Sequence, residues 1–299
     1  MSASYSELTK KGSVLGRIAT ELRAAGPDCR LSPLVFMTDP TRVPDPVAIA
    51  KRLPRGAAII YRHFGQPEAA RTLRNVTKQR DQQFLIGSDP ELAEDVDADG
   101  VHFSRDPELI DPIKWRARRP DWIITMAGLK SGHYAAPLDS LDALFISAVF
   151  PSLSKSAGEA IGVEALKDRV TRLPVPLYAL GGVNAATALN LTRSGVTGLA
   201  AIEGLKMDIR REDMNDDHRF VIDTDHGEAE LTMAKVKDGI FNANHTFVPK
   251  PLEGQGIAGK LFDVMAADAM EKGYKVIAGC PYIAMKFKRK PDVAAVIGV

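Results

Sequence analysis

Arg62, Lys155, Ser152, Ser154 and the pair Gly181-Gly182 each stand just after a short apolar run, and their types suit the binding of phosphate. Two cations can neutralise an anion, two hydroxyls can donate to its oxygens, and a glycine pair lets backbone N–H groups come close. The glycine pair ends the run Leu177–Leu180 and precedes a stretch read as a helix, with Asn184 as its cap and a positive dipole end towards the ligand. A plain tight turn between strand and helix would use the same residues. A second constellation lies near the C-terminus. Gly254, Gln255, Gly256 and Ala258 form a Gly-x-Gly-x-Ala turn entering a helix, where successive amides can wrap a diphosphate. Cys280 falls between a strand and a helix N-terminus, a position that favours a thiolate. His245 stands on the adjacent strand as a candidate acceptor for the proton of an incoming amine.

These groups need a scaffold, and the hydrophobic rhythm supplies one. From Leu34 short apolar runs alternate with amphipathic stretches of roughly ten residues. The predicted strands are Leu34–Met37, Ala57–Tyr61, Gln83–Ile86, Gly100–His102, Trp122–Thr125, Ala143–Ile146, Leu177–Leu180 and Val196–Ile202. About eight βα units is the number that closes a parallel barrel, whose chemistry sits on the loops after the strands. An open doubly wound sheet shares the rhythm. Val14, Leu15, Ile18, Ala19 and Leu22 share one helical face, so residues 1–33 read as a helical extension ended by Gly26-Pro27. After Leu205 the charged run 206–218 reads as a linker. From Arg219 alternating segments and the turn Lys237-Asp238-Gly239 predict antiparallel strands, followed by a helix, a strand and a last helix.

The 299 residues carry a net charge of +1, so charge makes no case for nucleic acid or a membrane surface as partner. The 45% hydrophobic content can fill a barrel core and a smaller second one. Cys29 and Cys280 have no metal-ligand or redox spacing and fit a reducing compartment. No apolar run reaches the roughly 18 residues of a membrane span, and the expected location is the cytoplasm.

DADGVHF at 97–103, VFPSLSK at 149–155, YALGGV at 178–183 and GLAAI at 198–202 resemble the thiamine phosphate synthase family and its thiazole tautomerase relatives, from about Leu34 to Leu205. The resemblance implies a TIM barrel, a thiazole phosphate and a pyrimidine pyrophosphate as substrates, and Mg2+. It places Arg62 and Lys155 on pyrophosphate, Ser152, Ser154, Gly181 and Gly182 on the thiazole phosphate, and Asp89 and Asp106 on the metal. The sequence departs from the family pattern at five points, one of them the lack of a clear counterpart to a Ser-x-His signature in residues 125–133. Phe64 stands where a second cation is expected, Gly87-Ser88 where Asn-Asp is expected, Pro107 at the second metal aspartate, and Glu203 at a phosphate-binding serine. A tautomerase-like or purely ligand-binding barrel is therefore the alternative.

HTFVPKPLEGQGIAGKL at 245–261, followed by VIAGCPYIAMKFKRKPD at 276–292, resembles the small YjdJ-type branch of the GNAT N-acetyltransferase superfamily over residues 219–299. That resemblance implies acetyl-CoA held by the amides of Gly254, Gln255, Gly256 and Ala258, with Glu253 where a basic residue is usual. The expectation is thus an α/β chain in which a (β/α)8 barrel at 34–205 precedes a small α+β acetyltransferase domain at 219–299.

Overall fold

The structure is a computed structural model that describes residues 13–104, 111–128, 138–152, 154, 158–207, 209–224 and 226–299. Two compact units divide it. The first holds Gly16–Asn184 and Asn190–Lys206, and the second holds residues 13–15, Ala185–Leu189 and Met207–Val299.

In the first unit, helix α1 (Val14–Ala25) leads into eight parallel strands: β1 (Leu34–Met37), β2 (Ala58–Tyr61), β3 (Gln83–Gly87), β4 (Gly100–Phe103), β5 (Ile123–Ala127), β6 (Ala143–Ile146), β7 (Leu177–Ala179) and β8 (Gly198–Ala201). They pair in sequence order, and β8 returns to β1 through Leu34↔Leu199, Val35↔Ala200 and Phe36↔Ala201, which closes the barrel. The open doubly wound alternative is thereby excluded. Every second residue of each strand points inward. Val35 and Met37, Ala58 and Ile60, Leu85, Ile123, Ala143 and Phe145, Tyr178 and Ala200 fill the interior as one apolar cluster.

The outer helices begin on a repeated local signal. Asp45-Pro46, Asp89-Pro90 and Asp111-Pro112 start α2 (Pro46–Arg52), α4 (Pro90–Asp95) and α5 (Pro112–Arg118), with α3 (Pro67–Gln79) between the first two. In each of the three starts the aspartate accepts from the backbone N–H three residues on, at Ala48, Leu92 and Lys114, while proline occupies a position whose N–H would be orphaned anyway. Helix α6 (Gly162–Arg172) follows β6.

The second unit is a five-stranded sheet in the order β13-β12-β11-β10-β9, formed by β9 (Ile209–Met214), β10 (Asp217–Thr224), β11 (Gly227–Lys237), β12 (Ile240–Phe247) and β13 (Lys275–Ile277). All pairs are antiparallel except β12 with β13. Helix α8 (Ile257–Lys272) packs across β10 and β11, burying Leu261, Phe262 and Met265 with Phe220, Leu231 and Met233. Two further helices, α9 (Pro281–Arg289) and α10 (Pro291–Ile297), end the chain, and the four-residue turn Ala185–Ala188 is α7.

The run 206–218, expected as a linker, contains β9. Its polarity does not prevent strand formation because cross-strand charges pair. Arg219 bonds Glu212 on one side and Glu230 on the other, each at 2.7 Å, and Arg210 pairs with Glu212, Asp223 and Glu228. A charged edge strand of this kind also resists pairing with other chains.

Candidate functional sites

Arg62 follows β2 at the C-terminal end of the barrel. Its backbone N–H donates to Thr38 Oγ1 at 2.8 Å, and its Nε donates to the Thr38 carbonyl at 2.9 Å. The side chain is 27% exposed, its terminal nitrogens make no hydrogen bond among the described residues, and the nearest carboxylate, Asp39, stands 4.0 Å away. Burial lowers this guanidinium to about 10, against the opposing pull of Asp39 and with a further push from Arg42. A cation so placed, with unused donors, suits an anionic ligand.

Asp39 and Arg42 were not singled out from sequence. Asp39 accepts from Arg42 Nε at 3.0 Å and from its terminal nitrogen at 2.7 Å, and takes the backbone N–H groups of Thr41 and Arg42 at 3.1 and 2.9 Å. Burial raises the Asp39 carboxyl, but the bonds from Arg42 and the loop amides outweigh it and hold it below the usual carboxylate range. The signal lay in Thr38-Asp39-Pro40-Thr41-Arg42, the loop directly after β1. Phe64, at the place of the expected second cation, is 67% exposed.

Beside Arg62, His102 on β4 is buried with Nδ1 2.9 Å from Thr125 Oγ1. Burial, and after it the charge of Arg62, lowers its imidazole to about 3, so it is neutral at physiological pH. Asp89 lies at the head of α4, where Oδ1 accepts from Leu92 N at 2.9 Å, and among the described residues Oδ2 accepts no hydrogen bond. Mg2+ takes such oxygen donors, usually one or two carboxylates with substrate phosphates, and Asp89 fits in chemical type. No cluster of three metal-ligating side chains occurs among the described residues. Asp106 and Lys155 lie outside them.

The loop after β6, which carries Ser152 and Ser154, packs through residues 148–151 on Gly181 and Gly182. Val149 N donates to Leu180 O and Phe150 N to Gly181 O, both at 3.0 Å, which locks the loop after β6 onto the end of β7. Ser154 N donates to Ser152 Oγ at 3.3 Å. Gly181 and Gly182 have φ of 86° and 68°, and a Cβ at Gly181 would meet Ala148 at 2.8 Å while one at Gly182 would strike Pro151 O. Close packing of two loops thus explains the glycines. The helix expected after them is only the four residues of α7, too short to lend a dipole.

In the second unit Gly254 and Gly256 have φ of 77° and 78°, open space around them, and Gly256 begins α8 with no side-chain cap. The first N–H groups of a 16-residue helix are therefore available, with Ala258 in its first turn. Gln255 is tied down through Nε2 to Pro251 O at 3.2 Å. Lys286, also not anticipated, brings its Nζ within 3.3 Å of where a Cβ at Gly259 would stand. Cys280 is 8% exposed, precedes α9, and donates its N–H to Ala243 O at 2.8 Å. His245 is exposed on β12 opposite Thr232.

A closed βα barrel with Arg62 and a pair of glycines at its C-terminal end, joined in one chain to a mixed sheet with a glycine turn at a helix head, defines the class as a two-domain α/β protein. Residues 62–205 match the family model described as thiamine monophosphate synthase, and residues 219–296 match that of the GCN5-related N-acetyl-transferases. The thiamine-phosphate synthase of Pyrococcus furiosus is 31% identical over 180 residues, covering 58% of this chain and 86% of that relative. That of Archaeoglobus fulgidus is 34% identical over 146 residues, covering 46% of this chain and 65% of the relative's length. A solved thiamine phosphate pyrophosphorylase from Pyrococcus furiosus has 26% identity and a TM-score of 0.45, with 57% of this chain and 85% of that one covered. The chain belongs to the thiamine-phosphate synthase family and carries a GNAT-like domain after the barrel in sequence. By both memberships it is a transferase. No helix among the described residues is long and apolar enough to cross a membrane.

Proposed function

We propose that the barrel, 34–205, joins a pyrimidine pyrophosphate to a thiazole phosphate, and that the second domain, 219–299, transfers acetyl from acetyl-CoA to an amine. The observation that carries the barrel reading is Arg62, half-buried with unused terminal donors at the barrel mouth. The bond from the pyrimidine methylene to pyrophosphate oxygen breaks, its electron pair leaves with pyrophosphate, and the thiazole nitrogen forms the new C–N bond. Arg62 and Lys155 stabilise the leaving charge, while Ser152, Ser154 and the amides of Gly181 and Gly182 orient the thiazole phosphate. Asp89 and Asp106 would hold Mg2+, which supplies further charge neutralisation on pyrophosphate. His102, kept neutral, is no proton carrier in this scheme.

Thiamine phosphate formation by the full chain with magnesium, and its loss in Lys155→Ala, is the test. No turnover from folded protein overturns the synthase reading. It would favour the tautomerase-like or ligand-binding barrel, for which Phe64 at the second cation position already speaks.

For the second domain the exposed left-handed glycine turn at the uncapped head of α8 carries the reading. The amides of Gly254, Gln255, Gly256 and Ala258 would take the diphosphate, with the thioester where β12 and β13 part. His245 would accept the proton as the amine attacks, with Cys280 near the acyl group as a second candidate acceptor. Acetyl-CoA should raise the thermal unfolding temperature in proportion to the logarithm of its concentration. No shift at millimolar ligand overturns this assignment.

A further inference from the structure

Asn242 is the last residue of β12 that pairs with β13, opposite Ile277, and the next link between these segments is Cys280 N to Ala243 O. Its side chain therefore stands where the two parallel strands part. Oδ1 is buried with no hydrogen-bond partner, and among the described residues Nδ2 has none either. The amide packs against Gly279 with Oδ1 nearest. A Cβ at position 279 would overlap Asn242 Oδ1 and stand 2.9 Å from both Cγ and Nδ2, so the amide fits only because residue 279 has no side chain. Gly279 is directly followed by Cys280 and then by Pro281 at the head of α9.

An apolar residue would fill this space without desolvating a polar group, whereas an amide left unbonded there destabilises the fold. The oxygen and nitrogen of such an amide are interchangeable by a half-turn, and in either orientation the protein supplies no partner. The amide thus has no protein partner where the strands part, and its N–H is left for a ligand.

We infer that Asn242 reads the acyl group of a thioester bound at this point; the inference rests on the acetyl-CoA reading of the second domain. A thioester has a carbonyl oxygen that can take the Asn242 N–H, and free CoA has none. The bond holds that carbonyl in place and draws charge onto its oxygen as an amine attacks. Asn242 is then a specificity-determining residue, separating acetyl-CoA from CoA.

Titration calorimetry of the full chain with CoA and with acetyl-CoA tests this. Asn242→Leu should weaken acetyl-CoA binding about tenfold, the worth of one hydrogen bond, and leave CoA affinity within about twofold. Its unfolding temperature should be equal to or above that of the parent. Gly279→Ala, which forces the amide from its seat, should reproduce the selective loss. Equal effects on both ligands, or none on either, overturn the inference while leaving the acetyl-CoA reading standing. Failure of the parent chain to bind either ligand overturns both.

Discussion

Arg62 lies across Gly87. A Cβ on Gly87 would stand 3.0 Å from Arg62 Cγ and 3.0 Å from Tyr61 O, so the last residue of β3 leaves the space in which the stem of the Arg62 side chain rests. Gly87 stands where the resemblance leads one to expect an asparagine.

Gly87→Leu should therefore displace Arg62. Inorganic pyrophosphate, titrated into the full chain with magnesium, should bind about tenfold more weakly, the scale of one charge-assisted bond. The overpacking should cost about 1–3 kcal/mol of stability.

Phe64→Lys should act the other way. Phe64 is exposed, so its loss opens no cavity, and a lysine there would add a second cation near Arg62. Pyrophosphate affinity should rise up to about fivefold, a gain that falls with added salt as expected of an exposed charge.

Gly256→Val should damage the second domain twice. The φ of 78° costs a side-chain-bearing residue about 1–2 kcal/mol, and the side chain would occupy the open space above the amides proposed to take the diphosphate. A lower unfolding temperature together with a smaller acetyl-CoA-induced rise is the expected result in a thermal scan.

His218 makes stability depend on pH. It is 1% exposed among Phe220, Phe241 and Tyr274, and burial, reinforced by Arg211, lowers its imidazole to about 4, while Asp268 and Asp213 oppose part of that shift. The unfolded histidine, with an ordinary value near 6.5, takes up a proton as pH falls while the folded one does not. The stabilisation is therefore complete above about pH 6.5 and is lost as pH falls towards 4, on the order of 2 kcal/mol by pH 4.5. His102 has the same sign. Denaturant midpoints should drop between pH 7 and 4.5, and His218→Phe should flatten the part of the drop that belongs to the second unit.

Local chemistry was legible without coordinates. The strands of the barrel fall within a residue or two of their apolar runs, because a buried parallel strand needs nothing beyond continuous apolarity and a turn at each end. Strand β13, helix α9 and the glycine turn at 254–256 of the second unit were likewise readable, since proline opens a helix and glycine permits the positive φ of a tight turn, whereas α10 was not expected. Ser152, Ser154, Gly181 and Gly182 could be listed, though not the loop-to-loop packing that makes the two glycines necessary.

Sequence by itself determined the alternation of elements, the Asp-Pro helix starts and the residue types that follow each strand, all consequences of interactions spanning a few residues. Tertiary structure decided that the sheet closes, that the charged run after Met207 is a strand, that Arg42 is tied to Asp39 beside Arg62, and that Asn242 rests on Gly279. Most of these depend on register between segments far apart in the chain, set by packing complementarity across the sheet. Arg42 is the exception: it bonds only three residues away, but its relevance appears only once β1 and β2 stand side by side.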